Sequence, residues 1–414
     1  MNRPLQVYLD SSDFSVLSDP GRQPALASIE HELIGLQSAG LIEIRFSHLH
    51  IVETSPTRRE DVSHAKARIE KIRQLCGSKC LVSTFSIIDR EVSSPGDWLA
   101  PSYREWLLRD DGDWLPLDLD VAIPAPHQLI RDALLEQGLN RYARRQRERQ
   151  YLDKRGQLKH SAKAQFGQVS IETISEIQRQ YPLSEESAIR LLKAIGTGAD
   201  KSIVLTHMRK ALRDLAYWPE WYEKQWERVS PVSSFLRDCG KAVREGTTQL
   251  SREFQQIYID AMKEGLSEDD LKRIRDKTIT QSIPDAYSRL VNRLSLADGH
   301  TRDTQEFSEA WKMRPGMATA AAMYCRIAWR SAVFARLGRS PSTSDLGDVM
   351  HCIHLPFVDI FRADSFTASV ISEAKLPFPT IIVPKLTQLP EVIRDRLKVV
   401  GKDYHRPKIV PRGL

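Results

Sequence analysis

No stretch of the 414-residue chain is apolar for long enough to cross a bilayer. The most apolar segment, MATAAAMYCRIAWRSAVFARL from Met317, is broken by Arg326, Arg330 and Arg336, which marks a buried or half-buried helix. The first residues, MNRPLQVYLD, hold no apolar run of the kind a secretory leader needs, so a cytoplasmic setting and no membrane partner are expected. Cysteine is scarce. Of five (Cys76, Cys80, Cys239, Cys325 and Cys352), only Cys76 and Cys80 are close in sequence, and no second pair or histidine partner completes a zinc pattern. Reduced thiols are the expectation. A Gly-x-Ser-x-Gly elbow and a paired Cys–His signature are both missing, which removes the common covalent hydrolase chemistries. The segment Lys193-Ala-Ile-Gly-Thr-Gly198 lacks the Lys-Ser/Thr ending and the preceding strand of a phosphate-binding loop. Internal repeats and low-complexity tracts are also missing.

What remains is a chain of ordinary globular composition, 41% hydrophobic and 28% charged. Its length predicts two domains, or one domain carrying a large insertion. The formal charge of +6 and a pI near 9.0 lean towards a polyanionic partner such as nucleic acid.

Hydrophobic periodicity predicts alternating elements over the first ninety residues: strands at Leu5–Leu9, Leu41–Phe46 and Cys80–Phe85, and helices at Pro24–Ser38, Ser47–Thr54 and Arg59–Cys76. The alternation returns near the C-terminus, with helices at Ser344–Leu355, Ser365–Glu373 and Pro390–Leu397 and strands at Val358–Arg362 and Thr380–Val383. Between them the strand signal nearly vanishes. The economical reading is an α/β domain with a parallel sheet, split over 1–90 and 306–414 around an all-helical insertion at 91–305.

In an open parallel sheet, ligands sit outside the carboxyl ends of strands, where the winding reverses. Asp10 ends the first predicted strand and Asp364 follows the fourth; if the last two strands return beside strand one, both acids flank that reversal. The helix in TSDLGDVMHCIHLP (343–356) puts Leu346, Val349, Met350 and Ile353 on one face and Asp345, Asp348 and Cys352 on an adjacent one. Asp345 and Asp348, at i and i+3, are neighbours whose repulsion a cation would relieve. Glu53 lies on the short helix of FSHLHIVETS. Acids from four elements suit a hard cation such as Mg²⁺ and phosphodiester cleavage. Each acid also has a structural alternative: Asp345 in a helix's first turn, Asp13 as a cap, Glu53 as a solvated side chain, Asp359 as a turn residue.

These residues resemble the PIN-domain family of metal-dependent ribonucleases. VYLDSSDFSVLS is similar to its opening motif and FSHLHIVET to its second. SDLGDVMHCIHLPFVDIFRADSFTASVI looks like the C-terminal motif of large bacterial PIN-like proteins. The match spans roughly residues 5–90 and 310–400. The resemblance implies a PIN-like five-stranded parallel sheet flanked by helices, Mg²⁺ or Mn²⁺ held by clustered acids, and hydrolysis of RNA, with DNA as the alternative substrate. It further implies catalytic ligands at Asp10, Glu53, Asp348 and Asp364, an auxiliary or alternative acid at Asp345, and Ser11 or Ser12 orienting the first carboxylate. A toxin or antiphage role, with a protein partner or inhibitor at the helical insertion, is the biological setting the family suggests. Ser12 stands where many members have asparagine, and the insertion is absent from the small members. Two other readings stay open. One is a catalytically degenerate PIN-like scaffold that binds nucleic acid; the other is a haloacid-dehalogenase-like phosphotransferase, whose Asp-x-Asp is here replaced by Asp10 and Asp13.

Within the helical block, NRYARRQRERQYLDKRGQLKH (140–160) sets eight Arg or Lys residues against two acids, among Tyr142 and Tyr151. Arg141, Arg144, Arg145, Arg147, Arg149, Lys154 and Arg155 are candidate nucleic-acid contacts, since arginine beside aromatics suits phosphate contact and base stacking. A solvated helix face is the alternative. Trp218, Trp221 and Trp226 suggest core or a partner-binding patch over base stacking. His351, three residues after Asp348, suits a phosphate contact, support of a ligand carboxylate, or helix packing.

Overall fold

The protein is described from a computed structural model, which covers residues 3–56, 58–115, 134–135, 138–153, 159, 161, 171–196, 199–225, 248–297, 307–333 and 344–401. The apolar segment LQVY forms β1 (Leu5–Tyr8), buried at every position. It pairs in parallel with β2 (Ile42–Arg45) on one side and β5 (Ile360–Arg362) on the other, and β5 pairs with β6 (Ile381–Val383). The order β2-β1-β5-β6 makes a four-stranded sheet whose winding reverses between β1 and β5.

The expected fifth strand does not join this sheet. Of Cys80–Phe85 only β3 (Cys80–Leu81) is extended, pairing antiparallel with β4 (Leu108–Arg109) and meeting the main sheet through a single parallel bridge, Phe46 to Cys80. The cause is local. Ser83 Oγ accepts the Ser86 N–H at 3.1 Å and starts a helix at Thr84, so β-branched and aromatic residues that read as strand are consumed by helix.

The helices include, in chain order, α1 (Ser11–Ser18), α2 (Pro24–Ser38), α3 (His48–Thr54), α4 (Val62–Cys76), α5 (Thr84–Ser93), α6 (Pro101–Leu107), α7 (Arg141–Tyr151), α8 (Ile171–Gln180), α9 (Glu185–Gly196), α10 (Lys201–Leu212), α11 (Trp218–Gln225), α12 (Glu268–Ala297), α13 (Phe307–Met313), α14 (Pro315–Val333), α15 (Ser344–Cys352), α16 (Ser365–Ala374) and α17 (Leu389–Val399). Among the described residues no helix is long and apolar enough to cross a membrane.

The chain divides into two compact units. One comprises Met1–Ser55, Glu70–Trp114 and Ser230–Leu414; the other comprises Pro56–Ile69 and Leu115–Val229. The division departs from an insertion at 91–305: α6, β4 and α12 belong with the sheet, and the helical unit takes in the chain from Pro56. In the sheet unit, α14 packs along α12, with Met317, Ala318 and Ala321 buried against Tyr287 and Val291. Its N-terminus is capped across space by Glu91, whose two carboxylate oxygens accept the Gly316 and Met317 N–H groups at 2.9 and 2.8 Å. The helical unit has its own core of Ile174, Leu183, Leu191, Val204, Met208 and Leu212. Trp218 is buried there, its indole N–H donating to the Leu212 carbonyl at 3.1 Å. This matches the core reading of the tryptophans; Trp226 lies outside the described residues.

Candidate functional site

Strand register sets the site. Tyr8 lies opposite Phe361 on the parallel pair β1 and β5, so Asp10 and Asp364, each two residues past its strand, emerge at neighbouring carboxyl ends. Both are N-caps. Asp10 accepts the Ser12 N–H at 2.7 Å at the start of α1. Asp364 accepts from the Phe366 and Thr367 N–H groups at 2.6 and 3.0 Å and from the Thr367 hydroxyl at 2.9 Å at the start of α16. Glu53 arrives on α3, after β2, and Asp348 on α15, before β5.

The four acids act on one another. Burial, together with the charges of Asp364, Asp10 and Glu53, pushes the Asp348 carboxyl up to about 7 against the pull of His351. Asp345, three residues earlier, is buried at 3% exposure. Asp348 is thus in electrostatic contact with Asp364, Asp10 and Glu53.

Beneath the acids runs a hydrogen-bonded chain. The Tyr8 hydroxyl, fully buried, meets Ser47 Oγ at 2.8 Å and His351 Nδ1 at 2.6 Å. His351 Nε2 reaches Glu53 Oε2 at 3.2 Å and Ser11 Oγ at 3.4 Å. Burial alone would push the His351 imidazole down, but the charge and hydrogen bond of Glu53, with the charges of Asp10 and Asp348, raise it above the ordinary histidine value. Burial would likewise raise Glu53. The charge and hydrogen bond of His351, a hydrogen bond from Ser11 and the charge of His50 prevail and hold its carboxyl down at about 2. The Glu53 side chain keeps 38% of its surface open, which weakens the burial penalty further.

His50 fixes the helix that carries Glu53. Its Nδ1 accepts the Ser47 N–H at 2.9 Å and its Nε2–H donates to the Leu9 carbonyl at 2.9 Å. One nitrogen must accept and the other donate, so the ring is neutral. Burial and the nearby His351 agree, holding it at about 4.

The sequence candidates sort as follows. Asp364, Asp10 and Glu53 act electrostatically on Asp348, and Asp345, one turn earlier on the same helix, is buried. Ser12 holds Asp10 through its backbone N–H, whereas Ser11 faces Glu53 and His351 instead of the first carboxylate. Asp13 is a cap, accepting the Asp10 N–H at 3.0 Å. It is also 1% exposed and paired with Arg362 Nη2 at 2.6 Å. Asp359 pairs with Arg3 at 2.7 and 2.8 Å and accepts the Gln6 N–H, so it ties strand edges together away from the acids. In the helical unit, Arg141, Arg145, Arg147 and Arg149 of α7 are exposed and Arg144 is half-buried. Lys154 and Arg155 lie outside the described residues.

Sequence reasoning missed three contributors. Tyr8 read as a strand residue and Arg362 as the end of a strand; Gly347 read as nothing. Arg362 Nη1 is buried without a hydrogen-bond partner and stands 3.9 Å from Asp10 Oδ2. Among the described residues no group of three or more His, Cys, Asp or Glu side chains is placed to hold a metal ion. Comparison with protein-family models, curated proteins and solved structures finds no match to this chain.

Proposed function

We propose that the chain is a metal-dependent endoribonuclease of PIN-like design. The reading is carried by the convergence of Asp10, Glu53, Asp348 and Asp364, acids from four separate elements, at the carboxyl edge where the sheet reverses its winding. Four carboxylates in mutual repulsion are a donor set whose chemistry fits a hard divalent cation. Asp348, Asp364 and Asp10 would hold Mg²⁺ or Mn²⁺, with Glu53 beside them. The ion would supply positive charge against a scissile phosphodiester and acidify an attacking water.

The chain's own residues do the positioning. His351, braced by Tyr8, fixes the Glu53 carboxylate, and Ser11 adds a second donor. Arg362 has a free Nη1 beside Asp10, where it suits a phosphate oxygen. The same arginine favours a second reading, a non-catalytic PIN-like fold that binds nucleic acid, because it already supplies positive charge to Asp10 and Asp13.

Incubation of purified protein with structured and unstructured RNA separates the two. Cleavage with Mn²⁺ or Mg²⁺ that is lost in EDTA and in Asp10→Asn supports hydrolysis; asparagine is an equally good cap, so the fold is kept. Cleavage surviving both changes rules out the carboxylate site. Binding without cleavage of any RNA or DNA supports the scaffold.

A further inference from the structure

The helix α7 carries an exposed row of arginines that nothing among the described residues neutralises. Arg141, Arg145 and Arg149 follow one another at i, i+4 and i+8, which puts them on one side with about 6 Å of rise between successive residues. All three are exposed, and no ion pair engages them among the described residues. Tyr142, close to Arg145 and Arg149 in helical angle, leaves 79% of its surface in solvent. Glu148 and Tyr151 have partners within the chain, and Leu152, the C-cap of the helix, is buried at 5% exposure. Asn140 secures the start, its Oδ1 accepting the Ala143 N–H at 2.9 Å.

Like charges four residues apart destabilise a helix, and an exposed ring adds no packing. Both features become favourable when a polyanion with accessible ring faces lies along the row. A single strand offers phosphates for the guanidinium groups and an unpaired base for the phenol ring. A duplex hides its ring faces, and an acidic protein has no use for the tyrosine.

We propose that this face of α7 binds single-stranded RNA, with phosphates along Arg141, Arg145 and Arg149 and a base stacked on Tyr142. The inference rests on the nuclease reading and names the element that grips its substrate.

The test uses the full chain in EDTA, which separates binding from metal-dependent cleavage. Fluorescence anisotropy with labelled oligouridine, oligothymidine, duplex RNA and polyglutamate is followed across a salt series. The wild type should bind oligouridine most tightly. R141Q/R145Q/R149Q keeps good helix formers on α7 and should lower the log–log salt slope by about 2, three lost contacts at about 0.7 each. Tyr142→Ala should weaken oligouridine about tenfold and leave the slope unchanged. Unaltered affinity and slope in the triple variant would overturn the assignment. So would tighter binding of polyglutamate, duplex or oligothymidine, or a Tyr142→Ala variant that binds like wild type. If wild type binds but never cleaves when Mn²⁺ is restored, the nuclease reading fails while the α7 assignment stands. If the triple variant binds normally and wild type cleaves, the reverse holds.

Discussion

Gly347 and Glu53 approach each other more closely than any side chain at 347 would permit: a β-carbon there would stand 2.6 Å from Glu53 Oε1. Gly347 sits inside α15, where alanine would ordinarily stabilise by about 0.5–1 kcal/mol. The obstructing atom is the tip of a flexible, partly exposed side chain, which can swing away at little cost to the fold. Gly347→Ala should therefore keep or raise the melting temperature while displacing Glu53 from His351. Metal-dependent RNA cleavage, and the Mn²⁺-induced thermal shift, should fall at least tenfold. A variant that loses stability but keeps both would show that Glu53 is not held by this contact.

Asp364 performs two tasks that substitution can separate. As the N-cap of α16 it accepts two backbone N–H groups and the Thr367 hydroxyl. Asp364→Ala should cost about 0.5–2 kcal/mol in urea unfolding, and Asp364→Asn far less, because asparagine caps nearly as well. Both variants should weaken the Mn²⁺ response at least tenfold, since a hard cation loses the charge of a carboxylate in either. If the asparagine variant binds Mn²⁺ like wild type, the residue is a cap and no more.

These two residues show what the sequence made legible. Asp364 was visible because an acid just past an apolar strand stands out at a winding reversal, and the strand order puts that reversal between β1 and β5. Gly347 was invisible, because a helix glycine acquires its role only from α3, nearly 300 residues away. Tyr8 was hidden for the same reason: its strand was plain, but its hydroxyl matters only once Ser47 and His351 are beside it. The helix α1 was missed because SSDFSVLS has weak helical propensity and only Phe14 and Leu17 as buried apolar anchors. Its signal was the box formed by Asp10 and Asp13, which read as two separate acids. At β3 the opposite error arose, since a serine cap three residues past Cys80 outweighed β-branched propensity.

His50 makes the stability of the fold depend on pH. The neutral ring is required by its bonds to the Ser47 N–H and the Leu9 carbonyl, and burial holds it at about 4. An unfolded histidine titrates near 6.5. Between those values the unfolded chain binds a proton that the folded chain refuses, so stability falls as pH drops through about 6.5 towards 4. The contribution is on the order of 3 kcal/mol across that window. His354, which burial holds at about 3, acts in the same direction. His50→Asn keeps an acceptor for Ser47 and removes the titrating ring. It should be less stable than wild type at about pH 7.5, with the gap in urea midpoint narrowing as pH falls to about 4.5. A gap that stays constant would mean that His50 does not titrate in this window.

Asp348 should set stability against function most directly. Its carboxyl is driven up to about 7 by burial and by Asp364, Asp10 and Glu53, so at neutral pH the folded state carries a repulsion that the unfolded chain lacks. Asp348→Asn removes that charge at nearly constant volume. In EDTA the variant should melt higher by roughly 1–2 °C, corresponding to about 1 kcal/mol for a chain of this size. Saturating Mn²⁺ should reverse the order, because a cation bound only by the folded state adds about 2.7 kcal/mol at a hundredfold excess over its dissociation constant, and the variant lacks one of its ligands. A variant less stable in EDTA would mean that Asp348 makes net favourable contacts and the acids are not strained. Equal Mn²⁺ shifts in the two proteins would remove Asp348 from the ligand set.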